Sequence, residues 1–447
     1  MNGRTIRLGQ GRLLPRRAVL LMPLALGGCG IWFGQTKKPL PGVRLDVLPP
    51  RRNLTVEKNS TGVIELPTPR RNPDWPQVGG NPEHRMGSLA AGTRLTLAWR
   101  AGIGAGATYR RMLTASPVVA GGKVFTMDAA GVIRSFRLAD GMHLWRFNTK
   151  APKDRSEEVG GGVSFDSGTL YAATGRAEVL AIDTAKGTLR WRHAIGDPAR
   201  AAPTIVGSRL FVPTIGGRML ALSTADGAKI WSYQAQGASV GVLGDPSPAV
   251  SQGLVIAGFA SGEFTALAAD TGAVQWSDNL GAAFAGVSPS ELSAIRALPV
   301  IDGSIVYAIS LGQLLVADDL HSGRRVFYLE VSGSDTPAVA GDWMFVLTAG
   351  QRLAAIGRND GLVRWITQMS LFKNPKRKHG PILWRGPVLA GGRLLLAGDN
   401  GELAAVLPES GKIVQVQRLP GPAALAPVVA DATVLVLLRD GTLTAWR

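Results

Sequence analysis

An all-β fold, an eight-bladed β-propeller of four-stranded blades, is what the 447-residue sequence predicts. Three observations carry that prediction. A unit recurs from Trp75 onward with a period of about 40 to 50 residues, the spacing of propellers and solenoid arrays. Glycine is abundant, with 57 residues, while aromatics make up only 6 %, which suits many tight turns between short strands better than long helices. The last unit stops before its fourth strand, and the start of the repeating region supplies a strand of the missing kind, so the ring closes.

The N-terminal 28 residues are read as a leader. Arg4, Arg7, Arg12, Arg16 and Arg17 occur with no acid before Cys29, and Ala18 to Met22 form an apolar run too short to span a bilayer. Leu26-Gly27-Gly28-Cys29 resembles a bacterial lipobox, in which the cysteine thiol carries diacylglycerol. Cys29 is therefore the expected lipidation site, with an ordinary exported precursor, an uncleaved anchor and a core cysteine as the other readings. It is the single cysteine of the chain, so its acylation leaves no thiol for disulfide or nucleophilic chemistry. Gly30 lacks the aspartate associated with inner-membrane retention in some bacteria, which favours the outer membrane.

Residues 29–74 read as the lipidated cysteine and a flexible tether, since prolines recur at 39, 41, 49, 50, 67, 69 and 73 and no hydrophobic period persists. Residues 75–447 form the propeller. Its clearest units are SPVVAGGKVFTMDAAGVIRSFRLADGMHLW at 116–145 and APTIVGSRLFVPTIGGRMLALSTADGAKIW at 202–231, with further copies at 161–191, 247–276 and 336–365. The unit starting at Pro299 puts Phe327 at the tryptophan position, and the one starting at Pro387 puts Gln415 there. The final unit runs from Pro427 to Trp446, and the strand around Trp99 completes it. Pairing these ends removes two exposed sheet edges. Each tryptophan is expected to pack between neighbouring blades, and Gly141, Gly187, Gly227, Gly272, Gly323 and Gly361 to form the turns before them.

The chemistry inventory is sparse. Five histidines, at 84, 143, 193, 321 and 379, show no metal-ligand spacing. No phosphate loop occurs, and no Ser-His-Asp trio stands out. Asp140, Asp183, Asp226 and Asp270 fall at repeat turns and read as caps. The formal charge of +17 favours anionic partners or membranes, but nucleic acid is not expected for a protein anchored outside the cytoplasm. No cofactor and no metal site are predicted.

The pattern Ala181-Ile182-Asp183-Thr184-Ala185-Lys186-Gly187-Thr188-Leu189-Arg190-Trp191 resembles the PQQ-like β-propeller repeat. Together with the lipobox, the tether, the Trp75-Pro76-Gln77-x-Gly79-Gly80-Asn81 opening and the eight-blade count, the chain resembles the BamB family, lipoprotein subunits of the outer-membrane β-barrel assembly machinery. The resemblance covers about 75–447. It implies a noncatalytic scaffold on the periplasmic face of the outer membrane, monomeric within a hetero-complex. It would bind the POTRA region of BamA and other assembly subunits, and help assemble or insert nascent outer-membrane β-barrels. In that family two neighbouring connections contact BamA, and these correspond to 232–247 and 277–298. The match sets Val242 and Leu243 in the first, Leu243 where the family has arginine. It sets Ala294 and Arg296 in the second, where the family has acids. A short helix is expected over 288–296.

Two other functions stay open. A PQQ-dependent dehydrogenase shares the repeat but would need an adjacent cysteine pair, an acidic general base and a calcium site. A scaffold for a different envelope complex or for carbohydrate needs only the propeller. The basic stretch Phe372-Lys373-Asn374-Pro375-Lys376-Arg377-Lys378-His379-Gly380 is either a solvated loop or a contact for lipid phosphate or an acidic protein face.

Overall fold

Each repeat folds into one antiparallel sheet of four strands, because its apolar runs alternate with glycine turns too tight for anything but hairpins. The computed structural model describes residues 53–57, 63–152, 160–199, 201–236, 246–281 and 293–447, and no helix occurs among them. Blades 1 to 7 occupy residues 118–148, 161–194, 204–234, 249–279, 300–329, 338–368 and 384–418. Blade 8 is composite. Its three inner strands, Val428–Ala430, Thr433–Leu437 and Thr442–Trp446, pair with Leu97–Gly102 as the outermost strand. Thr96 and Arg447 exchange backbone hydrogen bonds of 2.7 and 3.0 Å. The ring therefore closes through ordinary strand pairing, as the sequence predicts.

The repeat signature is a packing device. In every blade the ladder between the third and fourth strands slips by one residue, and the slip sets the tryptophan position opposite a small residue. Trp191 faces Ala181, Trp231 faces Ala221, and Trp99 in the closing strand faces Ala445. Such a bulge re-aims a side chain. The indole thereby reaches the next blade, where it lies over a glycine and donates to the carbonyl three residues before it. Trp145 Nε1 bonds Thr184 O at 3.0 Å and its ring covers Gly187; Trp276 bonds Leu320 O at 2.8 Å and covers Gly323. The same pairing joins Trp99 to Gly141, Trp191 to Gly227, Trp231 to Gly272 and Trp365 to Gly411. Phe327 covers Gly361 without the hydrogen bond.

Only the junction from blade 7 to blade 8 lacks the pair among the eight. There the third and fourth strands of blade 8 come from opposite ends of the chain, so no turn holds a glycine for an aromatic to cover. Gln415 occupies the aromatic position and accepts from Arg393, which also donates to Gly92 O at 2.9 Å. The departure at Gln415 thus marks the seam.

Strands in a blade alternate in direction, so the links between blades all lie on one face, the connection face. The turns from first to second and from third to fourth strand lie on the other, the turn face. Three of the turn-face aspartates cap as expected. Asp183 Oδ1 accepts from the Ala185 and Lys186 amides, and Asp226 Oδ1 from Ala228. Asp140 is held at about 2 by its hydrogen bond from Arg137 and then by the Met142 amide.

The packed unit begins earlier than residue 75. Leu54 and Ile64 are 5 % and 4 % exposed within apolar clusters of the blades. The described part of the expected tether, 53–57 and 63–74, lies against the propeller. For residues 72–89 the cause is the axis of the ring, where the innermost strand of every blade would leave its inner edge unpaired, whereas 53–57 runs along the outer strands of blades 5 and 6. Asn72 O accepts from Asp431 and its amide donates to Val429 O in blade 8. Trp75 exchanges two backbone bonds with Val119 in blade 1, and Pro76 O accepts from Phe165 in blade 2. Gln77 imitates a strand with its side chain, accepting from Ile205 N at 2.8 Å and donating to Ile205 O at 3.0 Å in blade 3. Pro82, Glu83 and Leu89 continue the series at Val250, Ile301 and Leu389 in blades 4, 5 and 7. One segment thus satisfies the inner edges of seven blades.

Gly187 tests the inter-blade contact directly. Its φ is +68° and an added Cβ would sit 2.6 Å from the Trp145 ring, whereas Gly168, at φ +76°, has open space. Gly187→Ala should destabilise by about 3 kcal/mol, combining backbone strain with overpacking, and Gly168→Ala by about 1 kcal/mol. Chemical denaturation of both variants checks this, and equal losses would dismiss the stacking account.

Candidate interaction face

The segment that caps the inner edges also closes the turn-face end of the ring and leaves the other end open. The result is a central cavity of about 350 Å³ with Trp75, Gly79, His84 and Met86 on its floor and the starts of the first strands around its wall. Gly79 and Gly80 make the floor possible. A Cβ on Gly79 would lie 2.5 Å from the His84 ring, and one on Gly80 would lie 2.2 Å from the Met86 sulfur.

Among the described residues, charge at this cavity comes from three side chains, Arg296 and Asp335 on neighbouring links and Arg385 at the start of blade 7. Asp335, between blades 5 and 6, accepts from Gly386 N at 3.3 Å, Ser334 Oγ at 3.2 Å and Arg385 Nη1 at 3.4 Å. Burial pushes its carboxyl up, while Arg385 and these hydrogen bonds oppose the rise. Arg296 lines the same cavity from the link between blades 4 and 5. Partial burial and then the Arg385 charge lower it, and Asp335 raises it. Two guanidiniums thus share one carboxylate, and the mouth carries a positive surplus. On the floor, His84 Nδ1 donates to Pro299 O at 2.7 Å, and burial lowers its pKa to about 4.

The predicted contact residues separate here. Val242 and Leu243 lie outside the described residues, as do 288–292 of the expected helix. Residues 293–296 are not helical. Ile295 instead forms an antiparallel bridge with Ser310 and packs its side chain over Gly258, so tertiary pairing has overridden the local helical pattern. Ala294 is 1 % exposed and its carbonyl accepts from Leu311 N, which corrects its expected role: its side chain cannot meet a partner and serves packing. Arg296 is exposed on the connection face. The sequence reading missed the floor. Its signal was present in the paired glycines after Trp75-Pro76-Gln77, together with a proline and β-branched start in most units whose inner edge had no assigned partner.

A metal-assisted quinone does not fit this cavity. Asp335 is the one carboxylate among the described lining residues, and it is already held by three donors. No cluster of three or more His, Cys, Asp or Glu suited to a metal occurs among the described residues.

A family model described as outer membrane protein assembly factor BamB matches residues 129–367 and 368–446. A protein of that name from Yersinia pestis is 24 % identical over 358 residues, covering 78 % of this chain and 88 % of the relative. The crystal structure of BamB from Moraxella catarrhalis superposes with a TM-score of 0.68 at 20 % identity, covering 79 % of this chain and all of that one. A europium-containing methanol dehydrogenase superposes with a TM-score of 0.65 at 14 % identity, over 81 % of this chain and 89 % of its own, a likeness of fold.

The buried floor histidine sets a pH response. With a folded value of about 4 against an ordinary 6.5, His84 takes up a proton in the unfolded chain first. Its contribution to stability is present above 6.5 and lost as pH falls toward 4, about 2 kcal/mol of it between pH 7 and 5. Urea unfolding at the two pH values should show His84→Gln losing less stability than the parent by that amount. An unchanged difference would mean that His84 is not shielded.

Proposed function

The chain belongs to the outer membrane protein assembly factor BamB family, and from that premise we propose that it is a noncatalytic scaffold of the β-barrel assembly machinery that binds BamA. The match over 129–446 carries the reading. The geometry supports it by offering a rigid ring with unequal links collected on one face, which suits contact with several proteins better than chemistry. Two neighbouring links, 235–248 and 280–299, are the proposed seat of the BamA POTRA region. Arg296 supplies exposed charge there, while Val242 and Leu243 supply apolar contact. Ala294 sets the backbone beneath Arg296 and is withdrawn as a contact.

Cys29 is proposed to carry the lipid that holds the protein on the periplasmic face of the outer membrane. Nascent β-barrel chains are proposed to pass near the connection face. The inner edges are already capped, so contacts with side chains and links are the expected mode at the cavity. A scaffold for a different envelope complex is the competing reading.

Copurification from solubilised outer membranes should recover BamA. Arg296→Glu combined with Val242→Asp and Leu243→Asp should lower the recovery roughly tenfold, the effect of losing about 1.4 kcal/mol of interface energy. An intact complex without BamA would refute the assignment. Separately, Cys29→Ala should release the protein from the membrane fraction with its unfolding midpoint unchanged, and normal retention would remove the lipid from the account.

A further inference from the structure

The link from blade 6 to blade 7 builds an element of its own. Phe372–Asn374 pairs with His379–Pro381 as a two-stranded hairpin, the one such sheet among the described residues. Its neck is fixed to the body. Trp384 Nε1 donates to Ser370 O at 3.0 Å, Ile382 N to Leu371 O at 2.8 Å and Leu383 N to Asp399 Oδ1 at 3.0 Å. Trp384 and Ile382 are buried beneath it. The strands carry the tip about 10 Å from that neck at ordinary strand rise.

Lys373, Lys376, Arg377, Lys378 and His379 are all exposed on this hairpin, and none has an acidic partner among the described residues. The sequence contains no acid between Asp360 and Asp399. Several cations held close on a projecting hairpin repel one another unless an anionic surface answers them. The hairpin also lies on the face where the described chain enters the propeller. Asn53 pairs with Glu330 at the connection-face end of the outer strand of blade 5, and Glu57 N reaches Val363 O at the turn-face end of blade 6. Asn53, the first of the described residues, therefore lies on the same face as the hairpin, one blade junction away.

We propose that the 372–381 hairpin is an electrostatic foot that docks the connection face on an anionic phospholipid surface. The orientation argument rests on the reading of Cys29 as lipid-bearing, while the affinity of the hairpin for lipid does not. The foot reads charge density and needs no particular headgroup, and its grip weakens as salt screens the phosphates.

The test uses the chain from residue 29 onward carrying Cys29→Ala, so that no acyl chain contributes. Flotation is measured with phosphatidylcholine vesicles containing about a third phosphatidylglycerol, an anionic fraction high enough to give a strong surface potential. Binding should exceed that to pure phosphatidylcholine and fall on raising the salt. Replacing Lys373, Lys376, Arg377 and Lys378 by Gln should weaken it at least tenfold with the unfolding midpoint unchanged. Replacing Lys186, Lys229 and Lys412 by Gln on the turn face should leave it within twofold. Equal loss in both variants would reduce the effect to net charge and overturn the proposal. So would vesicle binding indifferent to the hairpin cations, including the case where those cations instead retain an acidic protein from the complex. Release of the Cys29→Ala protein in cells tests the lipid reading and leaves this result untouched.

Discussion

The architecture depends on an aromatic ring of one blade lying over a glycine turn of the next. A propeller blade has no core of its own. Its sheet buries both faces only against its neighbours, so the inter-blade contact must be specified as closely as a strand register. Here the ladder slip between the third and fourth strands turns the aromatic outward along the ring. The glycine admits it, and the indole nitrogen finds the carbonyl three residues before that glycine. Repetition around the ring means that neither partner of the contact can drift alone. Where the covalent turn is missing, at the seam, the aromatic is missing too, and Arg393, which donates to Gln415 of its own blade, supplies a polar contact to Gly92 O in its place.

Closing a ring creates a second constraint at its axis. The innermost strands are edges, and a proline at the start of most units removes one donor from each but leaves others. The chain answers with residues 72–89, whose carbonyls and the Gln77 amide meet the inner strands in nearly circular order. Because that segment lies at the turn-face end, the cavity opens only on the connection face. The asymmetry between the two faces, on which the functional reading relies, thus follows from satisfying backbone groups.

Much of the ring was legible in the sequence, since Trp-Gly spacing and the truncated last unit encode local pairings that repeat. Residues 63–91 were not, because they have no hydrophobic period. They bind through backbone groups to strands far away in sequence, and a proline-rich segment that does so has the same composition as one that floats. Ala294 illustrates the same limit. The family resemblance puts it in a partner-facing link, but Ile295 next to it pairs with Ser310 and draws the chain inward, leaving Arg296 exposed. Sequence distance along a link does not say which of its residues faces water.

Division of labour between the faces follows from chain length. Turn-face turns are short and committed, with aspartates tied to their own amides and glycines under aromatic rings, so changes there disturb the ring itself. Links on the connection face carry no such duty once the first strand of the next blade is paired. Length and charge could accumulate there without loss of stability, in the two long links beside Arg296 and in the basic hairpin. A lipid on Cys29 would raise the local concentration of that hairpin at the bilayer. Individually weak contacts to lipid and to partner proteins then reinforce one another without any new contact being made.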